Sequence, residues 1–105
     1  MKKILISTLV IIITSIVSLA ECTTNGCYGV TVDKIFVTNT GTVYVDTSGD
    51  ESTLTCGPLG GTYIILPTGV AQNLMYSMLL AAQTTKRKIN IKVDIGTYCP
   101  ISYMY

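Results

Sequence analysis

Apolar and polar residues alternate over Ile89–Val93, where Ile89, Ile91 and Val93 are interleaved with Asn90 and Lys92, the pattern of a half-buried strand. The same two-residue rhythm governs Val43 and Val45. It also runs through Gly29–Thr40, a Val-, Ile-, Phe- and Thr-rich stretch suited to a pleated surface. There Val30 and Val32 share one face while Ile35 and Val37 fall on the other, so the alternation slips near Asp33 and Lys34, and a bulge or bend is expected at that point. Asn39–Thr42 is a turn signal, making a hairpin of the first two strands. A third strand is expected at Thr62–Leu66, stopped by Pro67, and a fifth at the C-terminal ISYMY. Between the third and fourth the rhythm changes to three and four residues, through Val70, Leu74, Met75, Met78, Leu79 and Ala82. This predicts a helix over about 69–84, capped by Thr68 and laying one apolar stripe on the sheet. The two methionines of the stripe read as core filling.

The element order is thus three strands, a helix and two strands. It predicts a mainly β fold with one α-helix, a five-stranded barrel of the oligonucleotide/oligosaccharide-binding (OB-fold) type in the order βββαββ. Thr47–Gly61, crowded with Ser, Thr, Asp, Gly and Pro, is expected to be an exposed loop tethered by Cys56. No internal repeat or linker divides the chain.

The N-terminus is of another kind. Lys2 and Lys3 precede an apolar run from Ile4 to Val17 and the small-residue end Ser18–Leu19–Ala20, the layout of a secretory signal peptide cleaved after Ala20. The run is shorter than the ~20 residues that span a bilayer, which disfavours an uncleaved anchor. Glu21 before Cys22 disfavours a lipid anchor on that cysteine. Residues 1–20 are therefore set apart as a signal peptide and 21–105 are expected to form a single secreted or periplasmic domain, with no membrane span after cleavage. A domain of this size has little core and needs staples. Cys22, Cys27, Cys56 and Cys99 all follow the cleavage point, and an even count in an exported chain reads as two disulfides. Of the three pairings four cysteines allow, Cys22 with Cys27 and Cys56 with Cys99 is the favoured one.

Charge and residue types narrow the function. Residues 21–105 carry five basic and six acidic side chains, and the one basic cluster, Lys86–Lys88, reads as a solvated helix end, so no nucleic-acid partner is expected. The chain contains no histidine and no CxxC spacing, which argues against a metal centre and removes the commonest general base. No nucleophile-elbow motif is present, and GPLGG opens a strand rather than a helix, so it does not read as a phosphate loop. The domain is expected to be non-catalytic and to use no cofactor. What it offers instead is seven tyrosines against one phenylalanine and no tryptophan, a supply of apolar faces with hydroxyl tips suited to sugar stacking or to subunit interfaces.

With VDKIFV at Val32–Val37 and the passage Tyr76–Tyr105, YSMLLAAQTTKRKINIKVDIGTYCPISYMY, the chain resembles the B subunits of AB5 toxins, in particular the subtilase-cytotoxin and typhoid-toxin branch. The resemblance implies an OB-fold, a pentameric ring, binding of cell-surface glycans, often sialylated, and delivery of a catalytic toxin A subunit. CYGVT stands where that branch carries the serine that holds the sugar carboxylate. Position beside the first strand makes Tyr28, Thr31 and Asp33 the candidate glycan-binding residues. The other expectation is a small exported protein of the same fold that binds a protein partner or serves a structural role.

Overall fold

The computed structural model describes residues 20–105; the expected signal sequence lies outside the described residues but for Ala20. β1 (Glu21–Cys22) and β2 (Gly26–Val30) form a short N-terminal hairpin, followed by β3 (Val32–Val37), β4 (Val43–Thr47), β5 (Ile64–Leu66), α1 (Gln72–Thr85), β6 (Ile89–Val93) and β7 (Ile101–Met104). The strands make two antiparallel sheets, one of four strands in the order β1-β2-β6-β7 and one of three in the order β3-β4-β5. The fold is therefore mainly β with one helix, as the pattern predicts. The five-stranded closed barrel is not what the hydrogen-bonded sheets show.

The chain changes sheets within the first expected strand. The first expected strand is divided at Thr31, whose N–H is taken by Ser48 Oγ at 3.0 Å and whose carbonyl accepts from Ser48 N at 3.0 Å. Upstream of this break the chain pairs with β6, and downstream it pairs with β4. The slip expected near Asp33 is present as a register shift between Val32 and Lys34, and it turns Ile35 inward opposite Val45. The two sheets meet again where Ile65 forms a parallel bridge with Pro100 and donates its N–H to the Tyr98 carbonyl at 2.9 Å.

The core lies between the sheets and the helix. Val30, Val45, Ile64, Leu66, Leu79, Ile91 and Ile101 are its largest enclosed aliphatic side chains, drawn from β2, β4, β5, α1, β6 and β7. Burying a side chain of this kind contributes roughly 1.5–3 kcal/mol. Cys22 is bonded to Cys27 and Cys56 to Cys99, the favoured pairing, with Cα atoms 3.9 and 5.1 Å apart. The expected exposed loop 47–61 is more structured than its composition suggests. A single 3₁₀ turn at Glu51–Thr53 turns Glu51 and Leu54 inward, and Thr53 Oγ1 donates to the Cys22 carbonyl at 2.7 Å. Only glycine fits at Gly49, because a Cβ there would stand 2.7 Å from Cys22 Sγ and 3.1 Å from Val30 Cγ1.

The helix departs from expectation in its start and in its stripe. It begins at Gln72, and its first turn carries no side-chain cap: the N-cap position is Ala71, and Thr68 lies outside the helix. Leu79 and Ala82 are enclosed and Met75 and Tyr76 pack against the core, but Val70, Leu74 and Met78 are exposed at 103, 72 and 42 %. At about 100° per residue the six expected positions spread over half the helix circumference. The sheet covers only the half-turn centred near Leu79. The helix ends in a left-handed cap at Lys86, whose N–H reaches the Ala82 and Gln83 carbonyls.

Candidate functional site

β2 and β6 run antiparallel, and a cleft opens at each end of the pair. At the end marked by Val30 opposite Ile89, Thr31, Val32 and Asp33 from the break in the first strand face Gln83 and Lys86 from the end of α1. The cleft encloses about 410 Å³. Thr31 Oγ1 donates to Asp33 Oδ1 at 3.0 Å, which holds both side chains toward one side of the bulge. Gln83 Nε2 donates to the Asp33 carbonyl at 3.4 Å, so the helix end is tied to the same two-residue segment. Lys86, at the left-handed cap with φ 54°, stands on the fourth side and completes a rim of hydroxyl, carboxylate, amide and ammonium.

Two of the three candidate residues, Thr31 and Asp33, thus share one cleft. Tyr28 does not line it. Tyr28 sits on β2 with its ring over Gly26, and its hydroxyl donates to Asn25 Oδ1 at 3.4 Å, near the opposite end of the strand pair. Gln83 and Lys86 were missed by pattern reading for a physical reason. They lie some fifty residues downstream, one reads as an ordinary polar helix position and the other as a solvated helix end, and only the turn of the chain through β6 returns the helix end to the strand break.

The tyrosines serve largely as packing for one another. On the outward face of the three-stranded sheet Phe36 stacks on Tyr44 with ring centres 5.1 Å apart, Tyr63 meets Phe36 edge-on at 5.0 Å, and Tyr98 abuts Tyr44 at 6.2 Å. Lys34 Nζ lies 5.8 Å from the centre of the Tyr63 ring, within cation–π range. On the other sheet Tyr103 and Tyr105 stack at 6.2 Å and remain exposed.

Among the described residues no group of three or more His, Cys, Asp or Glu side chains is placed to hold a metal ion, and no helix is long and apolar enough to cross a membrane. Comparison of the chain with protein-family models, with curated proteins and with solved structures returns no match. What the cleft at Thr31 can do is therefore read from its own groups. Its lining offers hydrogen-bond acceptors at Asp33, donors at Lys86, and at Thr31 a hydroxyl that, with its proton on Asp33, is left to accept, set in a rim shaped by a strand break and a helix cap.

Proposed function

We propose that the exported domain is a non-catalytic glycan-binding module of the AB5 B-subunit kind, with its sugar site in the cleft between Thr31–Asp33 and Gln83–Lys86. The observation that carries this reading is that cleft: a carboxylate and a hydroxyl suit the hydroxyl groups of a pyranose, and Lys86 adds the cation that an acidic sugar calls for. The finer fold reading is an OB-type barrel. It is supported by the order in which the elements follow one another, from β3 through β4 and β5, across the Ile65–Pro100 bridge to β7, β6 and β2, and through Thr31 back to β3. Export is supported by the formed disulfides together with the leader-like N-terminus.

Assembly into a pentameric ring that carries a toxin A subunit belongs to the same proposal. Its support is the helix, which has no charged residue from Gln72 to Thr85 and turns Leu74 and Met78 to solvent. That same face favours a second reading, a small exported protein that uses the helix to bind a different protein. A glycan array carrying sialylated and neutral oligosaccharides tests the first reading. The wild-type protein is expected to bind a defined subset, and Lys86→Ala and Asp33→Ala, both at exposed positions, to weaken binding by about tenfold or more while the melting temperature stays unchanged. Silence of the wild-type protein across the array, or binding that ignores both substitutions, contradicts it.

A further inference from the structure

The other end of the β2–β6 pair, where Gly26 lies opposite Lys92, holds a larger cleft of about 660 Å³. Three segments wall it. Thr24 and Asn25 come from the loop closed by the Cys22–Cys27 disulfide, Thr55 adjoins Cys56 of the second disulfide, and Lys92, Asp94 and Ile95 come from the end of β6. The segments are cross-tied. Thr55 donates to the Thr24 carbonyl through both its N–H, at 3.2 Å, and its hydroxyl, at 3.1 Å, and Val93 N donates to the Asn25 carbonyl at 3.1 Å. A cleft whose walls are fixed by two disulfides and these bonds is ordered before any ligand arrives, which removes a cost of binding.

The side chains in it are set as well as the walls. Asn25 Oδ1 accepts from Thr23 Oγ1 and from the Tyr28 hydroxyl, each at 3.4 Å. With its oxygen engaged on the protein side, the amide has its Nδ2 protons left to donate outward. Tyr28 reaches this position because residue 26 is glycine: a Cβ there would lie 2.5 Å from the Tyr28 hydroxyl oxygen and 2.7 Å from the Ile91 carbonyl. Lys92 Nζ is turned back onto the Val93 carbonyl at 3.3 Å, whereas Asp94 is exposed and Ile95 projects almost wholly into solvent at 96 %.

We infer that this cleft is a second carbohydrate site, independent of the one at Thr31, and that it takes a neutral sugar. A carboxylate accepts from two hydroxyls, an oriented amide donates to a third oxygen, the Thr55 hydroxyl, its proton on the Thr24 carbonyl, is left to accept, and the aliphatic Ile95 side chain offers a surface for the C–H face of a pyranose. An acidic sugar or a phosphate would meet the Asp94 charge at close range, and the one ammonium in the lining is already turned onto a backbone carbonyl. The cleft at Thr31, with Lys86 free to face a ligand, has the opposite preference, so the two ends of one strand pair differ in the charge of the sugar they suit. The residues of the two sites do not overlap, so each can fail without the other.

Two-dimensional ¹⁵N–¹H NMR of the exported, disulfide-bonded protein, titrated separately with methyl β-galactopyranoside and methyl α-mannopyranoside, tests this assignment. Saturable shifts are expected at Thr24, Asn25, Thr55, Asp94 and Ile95, with a dissociation constant on the order of millimolar for a single small site, for at least one of the two. Asp94→Asn, at an exposed position, is expected to leave the spectrum folded and to weaken binding about tenfold, whereas Lys86→Ala leaves it unchanged. No saturable shift with either sugar up to about 50 mM, well above that dissociation constant, overturns the inference. Shifts that persist unchanged in both Asp94→Asn and Asn25→Ala overturn it equally.

Discussion

Glu51 is a charged residue type placed where the chain is nearly sealed, with 3 % of its surface exposed. Its carboxyl accepts from the Thr47 N–H and, at 2.7 Å, from the Thr47 hydroxyl. Loss of hydration nonetheless dominates these bonds and, with a smaller push from the Asp46 charge, raises its pKa to about 7. A carboxyl whose folded pKa lies above its unfolded value holds its proton more tightly when folded. Its contribution to stability is complete below pH 4.5, falls as pH rises through 7 and is gone above that. Urea unfolding is therefore expected to give a protein more stable at pH 5 than at pH 8 by up to about 3 kcal/mol, with Glu51→Gln flattening most of that difference. A profile that is flat in the wild type, or equally steep in Glu51→Gln, contradicts this assignment. Nothing in the sequence marks Glu51 among the polar residues of its loop, because its burial comes with the 3₁₀ turn at Glu51–Thr53 and the bonds from Thr47, which no local pattern announces. Of the candidates named by position beside the first strand, Thr31 and Asp33 share a cleft and Tyr28 lies outside it, whereas Gln83, Lys86, Asn25 and Asp94 join their clefts only through long-range pairing.

The elements were more legible than the residues, since strand alternation and helical spacing are local. β4, β6 and β7 fall where the pattern places them, and the slip near Asp33 is real. β1 was not legible: two residues, Glu21 and Cys22, carry no periodicity, and they form a strand because a disulfide and a tight turn set them opposite Cys27 and Tyr28. The helix shows the limit of a stripe read without knowing its partner. Its spacing marks a face whose centre lies to one side of the half that the sheet covers, so Leu79 is enclosed while Leu74 is 72 % exposed. Leu79→Asp is expected to prevent folding by forcing an unpaired carboxylate into the core. Leu74→Asp is expected to melt within about 0.5 kcal/mol of wild type as an isolated chain, since surface changes away from special features have small effects. Thermal denaturation of the two variants separates these outcomes, and a Leu74→Asp protein as damaged as Leu79→Asp would place the helix differently on the sheet.

At the scale of the whole molecule, a short chain builds two small sheets, joins them through a bend at Thr31 and a bridge at Ile65, and carries two disulfides, one closing the N-terminal hairpin and one tying Cys56 to Cys99. The helix leaves an uncharged, partly apolar face uncovered, and the clefts sit at the two ends of the β2–β6 pair. Those features agree with a domain that meets copies of itself through the helix and meets sugars through its sheet ends. Single sugar sites are weak, and repeating them around a closed ring raises avidity by roughly a hundredfold or more. Native mass spectrometry of the disulfide-bonded protein at micromolar concentration, with an oligosaccharide that binds on the array, tests the assembly and the ligand together. The account predicts a species of five copies carrying several sugars, with Leu74→Asp shifting it toward single chains. A wild-type protein that remains monomeric and takes up no sugar contradicts the account and leaves the protein-partner reading in its place.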